Sequence, residues 1–85
     1  MKEFTYVIKD ELGIHARPAG MLVKFAKDLG SKVTIVKDSK SADATRLMSI
    51  MGLAIKQGQE ITIQVEGDTE EADAKAVADF FETNL

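Results

Sequence analysis

The sequence predicts an α+β fold: a four-stranded antiparallel or mixed sheet with three helices packed on one face. Two observations predict it. Apolar residues change period along the chain, from single alternation to three- and four-residue steps and back, in the order β-α-β-β-α-β-α. The length of 85 residues leaves room for only one core. Residues 1–85 are therefore expected to form a single two-layered domain with its site on the surface rather than in a deep cleft.

Phe4-Thr5-Tyr6-Val7-Ile8 alternates, with Phe4, Tyr6 and Ile8 on one side, and reads as the first strand. Asp10-Glu11-Leu12-Gly13 reads as a loop. From about Ala16 the period lengthens. Ala19, Leu22, Phe25, Ala26 and Leu29 trace the buried stripe of an amphipathic helix, with Gly30 where its C-cap is expected. Gly20, Lys24 and Lys27 fall on a different, exposed face that Arg17 and Met21 adjoin. Lys32–Val36 is a second strand with Val33 and Ile35 inward, Asp38-Ser39 a turn, and Lys40–Asp43 a short third strand. Leu47, Ile50, Met51 and Ala54 suit a short helix that Gln57-Gly58 breaks. Ile61, Ile63 and Val65 alternate with Thr62 and Gln64 in the clearest strand, which Gly67 closes. Asp68, with Glu71 three residues on, reads as the cap of a last helix, and acids in its first turn suit the helix dipole. Ala72, Ala76, Val77, Phe80 and Phe81 form its buried stripe. The polar Thr5, Thr34, Thr62 and Gln64 fit a sheet with one face in water.

Composition removes several function classes. With no cysteine and one histidine, neither a disulfide framework, a thiolate metal site nor a histidine-rich metal site is available, and no metal or cofactor is expected. No apolar run approaches the ~20 residues of a membrane helix. Met1-Lys2-Glu3-Phe4 lacks the apolar stretch of a signal peptide. No direct membrane insertion is therefore expected, and the absence of cysteine fits a reducing compartment. A formal net charge of −3 argues against non-specific nucleic-acid binding. That figure hides an asymmetry: residues 13–56 carry eight bases against three acids, and residues 57–85 one base against eight acids.

Chemistry concentrates in Gly13-Ile14-His15-Ala16-Arg17-Pro18, which joins the first strand to the first helix. Pro18 belongs in a first turn, so the helix begins between Ala16 and Pro18 and His15 sits at or just before its N-cap. Backbone N–H groups and the helix dipole favour an anion there, and Arg17 adds a fork that fits phosphate. An uncharged imidazole at such a place can attack phosphorus, and the nearby helix end is expected to favour that neutral form. A loop or capping histidine without chemistry stays open on the residues alone. The six glycines are scattered, so no nucleotide-cradling loop is present.

At these residues the sequence resembles HPr, the histidine-containing phosphocarrier family of the bacterial phosphoenolpyruvate-dependent sugar phosphotransferase system. The resemblance covers the whole chain. It includes Gly58-Gln59-Glu60-Ile61 before the last strand and the acidic start of the final helix. It implies an open-faced β-sandwich, a four-stranded antiparallel sheet with three helices on one face, in a cytoplasmic protein. It also implies a carrier rather than an enzyme. His15 would accept a phosphoryl group on Nδ1 from phosphorylated enzyme I and pass it to enzyme IIA domains of sugar permeases. Arg17 would steady the group and Pro18 would shape the loop. The resemblance further implies a partner surface of Ala16, Gly20, Met21, Lys24 and Lys27, completed by Leu47, Met48 and Met51. Flexible methionines suit a surface that fits several partners, and the bases would speed encounter with acidic ones. Helical phase sets Met21 opposite the buried stripe, whereas the phase of Met48 and Met51 is ambiguous. A monomer is expected, because the elements already account for the apolar faces.

One position departs from the family. Many Gram-positive members carry a regulatory serine where ungapped counting from His15 puts Arg46. Arginine has the opposite charge to phosphoserine and no hydroxyl, so control through this position is not expected. Ser49-Ile50-Met51-Gly52 looks like the serine motif displaced by three residues, which leaves Ser49 as the weaker candidate. Without a capping oxygen on Arg46, Thr45 is expected to cap the short helix. Two rivals share this sequence: a paralogue relaying phosphate to regulatory proteins rather than permeases, and a binding module whose histidine is never phosphorylated.

Overall fold

Segments with single alternation become strands and those with longer steps become helices, in the predicted order. A computed structural model describes all 85 residues. Its elements are β1 (Lys2–Val7), α1 (Ala16–Lys27), β2 (Lys32–Lys37), β3 (Lys40–Asp43), α2 (Leu47–Gly52), β4 (Glu60–Glu66) and α3 (Glu70–Asn84). The strands lie in the order β1-β4-β2-β3, and every neighbouring pair is antiparallel. The mixed-sheet alternative is thereby removed. All three helices cover one face, and none is long and apolar enough to cross a membrane.

Register lines up the apolar residues across the strands. Phe4 faces Ile63, Ile63 faces Ile35, and Ile35 faces Ala42, so one apolar row crosses the whole sheet. Beside it, Tyr6 pairs with Ile61 and Val33 with Val65. Ile35, Ile61, Ile63, Val33 and Val65 are buried, together with Ala19, Leu22 and Ala26 of α1, Ile50 of α2, and Val77 and Phe81 of α3. Tyr6 ties the layers: its ring meets Phe81 edge-on, and its hydroxyl donates to the Phe81 carbonyl at 3.1 Å.

Several boundaries differ from expectation. α1 ends at Lys27 with Asp28 as C-cap, so Gly30 lies two residues beyond it. The end tightens instead through Leu29 N–H donating to Ala26. Ala54 is not helical. The turn after α2 puts it in the left-handed region at φ 51°, before Gln57-Gly58 is reached. α3 starts one residue later than the Asp68 cap implied. Thr69 is its N-cap, and the Thr69 hydroxyl donates to Asp73 rather than accepting from the helix. Thr45 does not cap α2 either, because Arg46 is the N-cap and both the amide and hydroxyl of Thr45 donate to Asp43 Oδ1. In α3, Ala72 is exposed, and the stripe that meets the sheet runs through Ala74, Val77, Phe81 and Leu85. These residues are three or four apart, a phase that Ala72 does not share.

Candidate functional site

The loop before α1 is a sequence of locally dictated turns. Asp10 Oδ1 accepts from the Leu12 amide at 2.9 Å, and the Asp10 carbonyl accepts from the Gly13 amide at 2.9 Å. Gly13 holds φ 66°, and a Cβ there would lie 2.3 Å from the Ile55 carbonyl oxygen, so only glycine fits. The same oxygen accepts from the Ile14 amide at 3.0 Å, and the Ile14 side chain is buried. Ile14 thus anchors the loop, and its neighbour His15 projects from it.

His15 is the N-cap of α1, with extended backbone at φ −102° and ψ −178°. Its carbonyl accepts the first helical bond, from Ala19, at 3.0 Å. Its side chain makes no capping hydrogen bond. The first turn therefore keeps its anion-binding capacity. Pro18 has no N–H to offer, so Ala16 and Arg17 supply the N–H groups that have no partner within the helix. No acidic residue stands in this turn, whereas α3 has Glu70, Glu71 and Asp73 in its own.

Asp10, His15, Arg17, Pro18, Met21 and Asn84 line an open depression of about 290 Å³ over this helix end. His15 Nε2 lies 3.7 Å from Asp10 Oδ2, with both side chains about one-third exposed at 34% and 30%. The geometry can hold a small anion beside a ring nitrogen, and it has no second wall to enclose a larger substrate. No group of acids and histidine is placed to hold a metal.

The predicted residues gather on this side of the molecule. Ala16, Arg17, Met21, Lys24 and Lys27 are exposed on α1, and Gly20 between them has open space where a Cβ would sit. Helix α2 packs against α1 and presents Leu47 and Met48, the latter 80% exposed. Met51 differs: it is half-buried and packs against the core. Arg46 and Ser49 are both exposed, Arg46 at the N-cap of α2 and Ser49 within it.

Sequence reading missed Asp10 and Asn84. Asp10 with glycine three residues on was legible as a turn, but its approach to His15 depends on the left-handed turn at Gly13. Asn84 comes from the far end of the chain, where the Lys9 and Asp10 amides both donate to the Leu85 carbonyl oxygen. Nothing local announces that contact.

Comparison with known proteins agrees with this geometry. A family model described as the PTS HPr component phosphorylation site matches residues 2–83. The chain is 39% identical over 77 residues to a phosphocarrier protein HPr of Mycoplasma capricolum, covering 91% of this chain and 86% of that protein. It is 40% identical over 78 residues to one of Lysinibacillus sphaericus, covering 92% and 89% respectively. A crystal structure of HPr from Thermoanaerobacter tengcongensis superposes with a TM-score of 0.92 at 40% identity, covering 99% of this chain and 94% of the other.

Proposed function

The chain belongs to the HPr family of the bacterial phosphotransferase system, and from that premise we propose that His15 is the residue that carries the phosphoryl group. Family membership makes the protein a cytoplasmic phosphoryl carrier rather than an enzyme, relaying phosphate from enzyme I to enzyme IIA domains. The observation that supports His15 is its position: the one histidine of the chain is the N-cap of α1, and its side chain makes no capping hydrogen bond. The first-turn amides of Ala16 and Arg17 therefore stay available to phosphoryl oxygens.

In this reading the lone pair of Nδ1 attacks phosphorus and the bond from phosphorus to the donor breaks. The Arg17 guanidinium and the first-turn N–H groups hold the equatorial oxygens. Pro18, buried at the third helical position, fixes the turn without adding a competing donor. Ala16, Gly20, Met21, Lys24, Lys27, Leu47 and Met48 form the docking surface, with Met51 supporting it from below. Arg46 replaces serine control with a fixed positive charge at the same rim.

Incubation with phosphoenolpyruvate and enzyme I, followed by intact mass, tests the assignment. One acid-labile phosphate is expected on the protein and none on His15→Ala. A phosphate that persists in His15→Ala would remove His15 from the role.

A further inference from the structure

The geometry points to Asp10 as a positioning residue that fixes which nitrogen of His15 is the nucleophile. This inference rests on His15 being the phosphoryl carrier.

Asp10 is held from three directions. Its amide donates to Leu85 O at 2.9 Å, its carbonyl accepts from the Gly13 amide at 2.9 Å, and its Oδ1 accepts from the Leu12 amide at 2.9 Å. Only Oδ2 is uncommitted, and it faces His15 Nε2 at 3.7 Å. That distance is too long for a settled hydrogen bond, and a small movement of either ring or carboxylate closes it. An ionised carboxylate accepts only. Nε2 must therefore carry the proton when the two meet, which leaves the lone pair on Nδ1.

The same contact acts through the transfer cycle. When Nδ1 attacks phosphorus, the electron pair of the broken bond leaves on the donor, and Nε2 keeps its proton. The imidazole ring then carries a positive charge opposite Asp10 Oδ2. On onward transfer the phosphorus–nitrogen electron pair returns to Nδ1, and the ring leaves neutral. A carboxylate at Nε2 thus favours the form of the ring that gives the group up, while Arg17 and the helix end hold the phosphoryl oxygens on the other side.

Asparagine at position 10 supplies a discriminating test. The Leu12 amide pins one side-chain oxygen, so in Asp10→Asn the amide oxygen stays on Leu12 and the NH₂ group turns toward His15. That donor requires Nε2 to accept, which places the proton on Nδ1 and blocks the nucleophile. Asp10→Ser retains an oxygen for Leu12 and leaves Nε2 to solvent. A purely structural role predicts the opposite order, because asparagine is the closer match in shape.

Nitrogen-15 NMR of the imidazole reads the tautomer, and stopped phosphotransfer from phosphorylated enzyme I reads the rate, with thermal melting as the check on folding. Asp10→Asn is expected to move the neutral ring toward Nδ1–H and slow transfer by about tenfold, and Asp10→Ser by about threefold, for a contact this exposed. Asp10→Asn transferring as fast as Asp10→Ser, or unchanged Nε2–H in both, would overturn the inference. If Asp10→Asn melts early, Asp10→Ser still decides by its rate, since transfer as fast as the wild type would overturn the inference. A wild-type protein that gains no phosphate on His15 would instead remove the functional assignment on which the inference stands.

Discussion

Gly13→Ala is expected to be the most damaging small change near the site. The glycine holds φ 66°, and a Cβ would meet Ile55 O at 2.3 Å and Lys56 Cα at 2.7 Å. A left-handed residue with a Cβ costs roughly 1–2 kcal/mol. Relieving the overlap requires a backbone shift of about 1–3 kcal/mol. That shift strains or breaks the Ile14–Ile55 hydrogen bond, worth about 0.5–1.5 kcal/mol. The stiffer unfolded chain returns roughly 0.4–1 kcal/mol. The net loss is about 1.5–6 kcal/mol, a large part of the stability of a small domain. Gly58→Ala is the control: it has φ 84° but nothing within 4 Å of a Cβ, so only the conformational cost applies. Urea unfolding of the three proteins measures the difference, and phosphotransfer in the folded fraction reads the displacement of His15. Equal destabilisation of the two variants, or a Gly13→Ala loss below about 1 kcal/mol, would refute the role of the Ile55 contact.

Other predictions follow from the same structure. Gly20→Ala fills open space on an exposed helix face and should raise stability by roughly 0.5–1 kcal/mol, measured as a higher melting temperature; an unchanged value would mean that α1 is strained there. Tyr6→Phe removes the buried hydrogen bond to Phe81 O and should cost about 1 kcal/mol in urea unfolding. The Thr45 hydroxyl hydrogen bond holds the Asp43 carboxyl below its ordinary range. Its contribution is therefore complete above the unfolded carboxylate value of about 3.9 and is lost as pH falls through the lower folded value. Asp43→Asn should flatten the acid limb of the stability curve over that window, and superimposable limbs would count against the effect. Arg17→Ala should leave the melting temperature within a few degrees while slowing phosphotransfer, and an unchanged rate would exclude Arg17 from holding the group.

The sheet was the most legible part of the molecule, because each strand pairs a two-residue period with burial of one face. Ile61, Ile63 and Val65 show both, and all are buried. The order of the elements was legible too, but strand direction was not, since no local feature separates an antiparallel sheet from a mixed one. The family resemblance supplied that, and the register confirms it. Helix ends were the weakest readings. Asp68 and Thr45 both have capping oxygens in plausible places, yet the first lies one residue early and the hydroxyl of the second is taken by Asp43. At the site, Pro18 located the start of α1 and thereby the N-cap histidine. Asp10 was invisible because its contact with His15 depends on a turn conformation, not on spacing.

Charge segregation gives the proposed partner surface its physical logic. The acids of the tail could have neutralised the bases of the middle segment, but they pair elsewhere. Glu70 meets the N-terminal amine, Glu71 meets Lys2, and Glu82 meets Lys9. All three pairs link the two ends of the chain. Arg17, Lys24, Lys27 and Arg46 have no ion-pair partner within the molecule and are exposed around Met21, Leu47 and Met48. Unpaired surface charge adds little to folding, and its field reaches about a Debye length, ~8–10 Å at moderate salt. These bases are therefore better suited to drawing in an acidic partner than to stabilising the fold. Raising salt should slow phosphotransfer from enzyme I mainly through the encounter step, with little change in the maximal rate at saturation. Arg46→Glu, which reverses one charge of this rim without touching the core, should reproduce the slowing at low salt and lose its effect at high salt. A rate indifferent to both would mean that docking is governed by the apolar centre of Met21, Leu47 and Met48 alone.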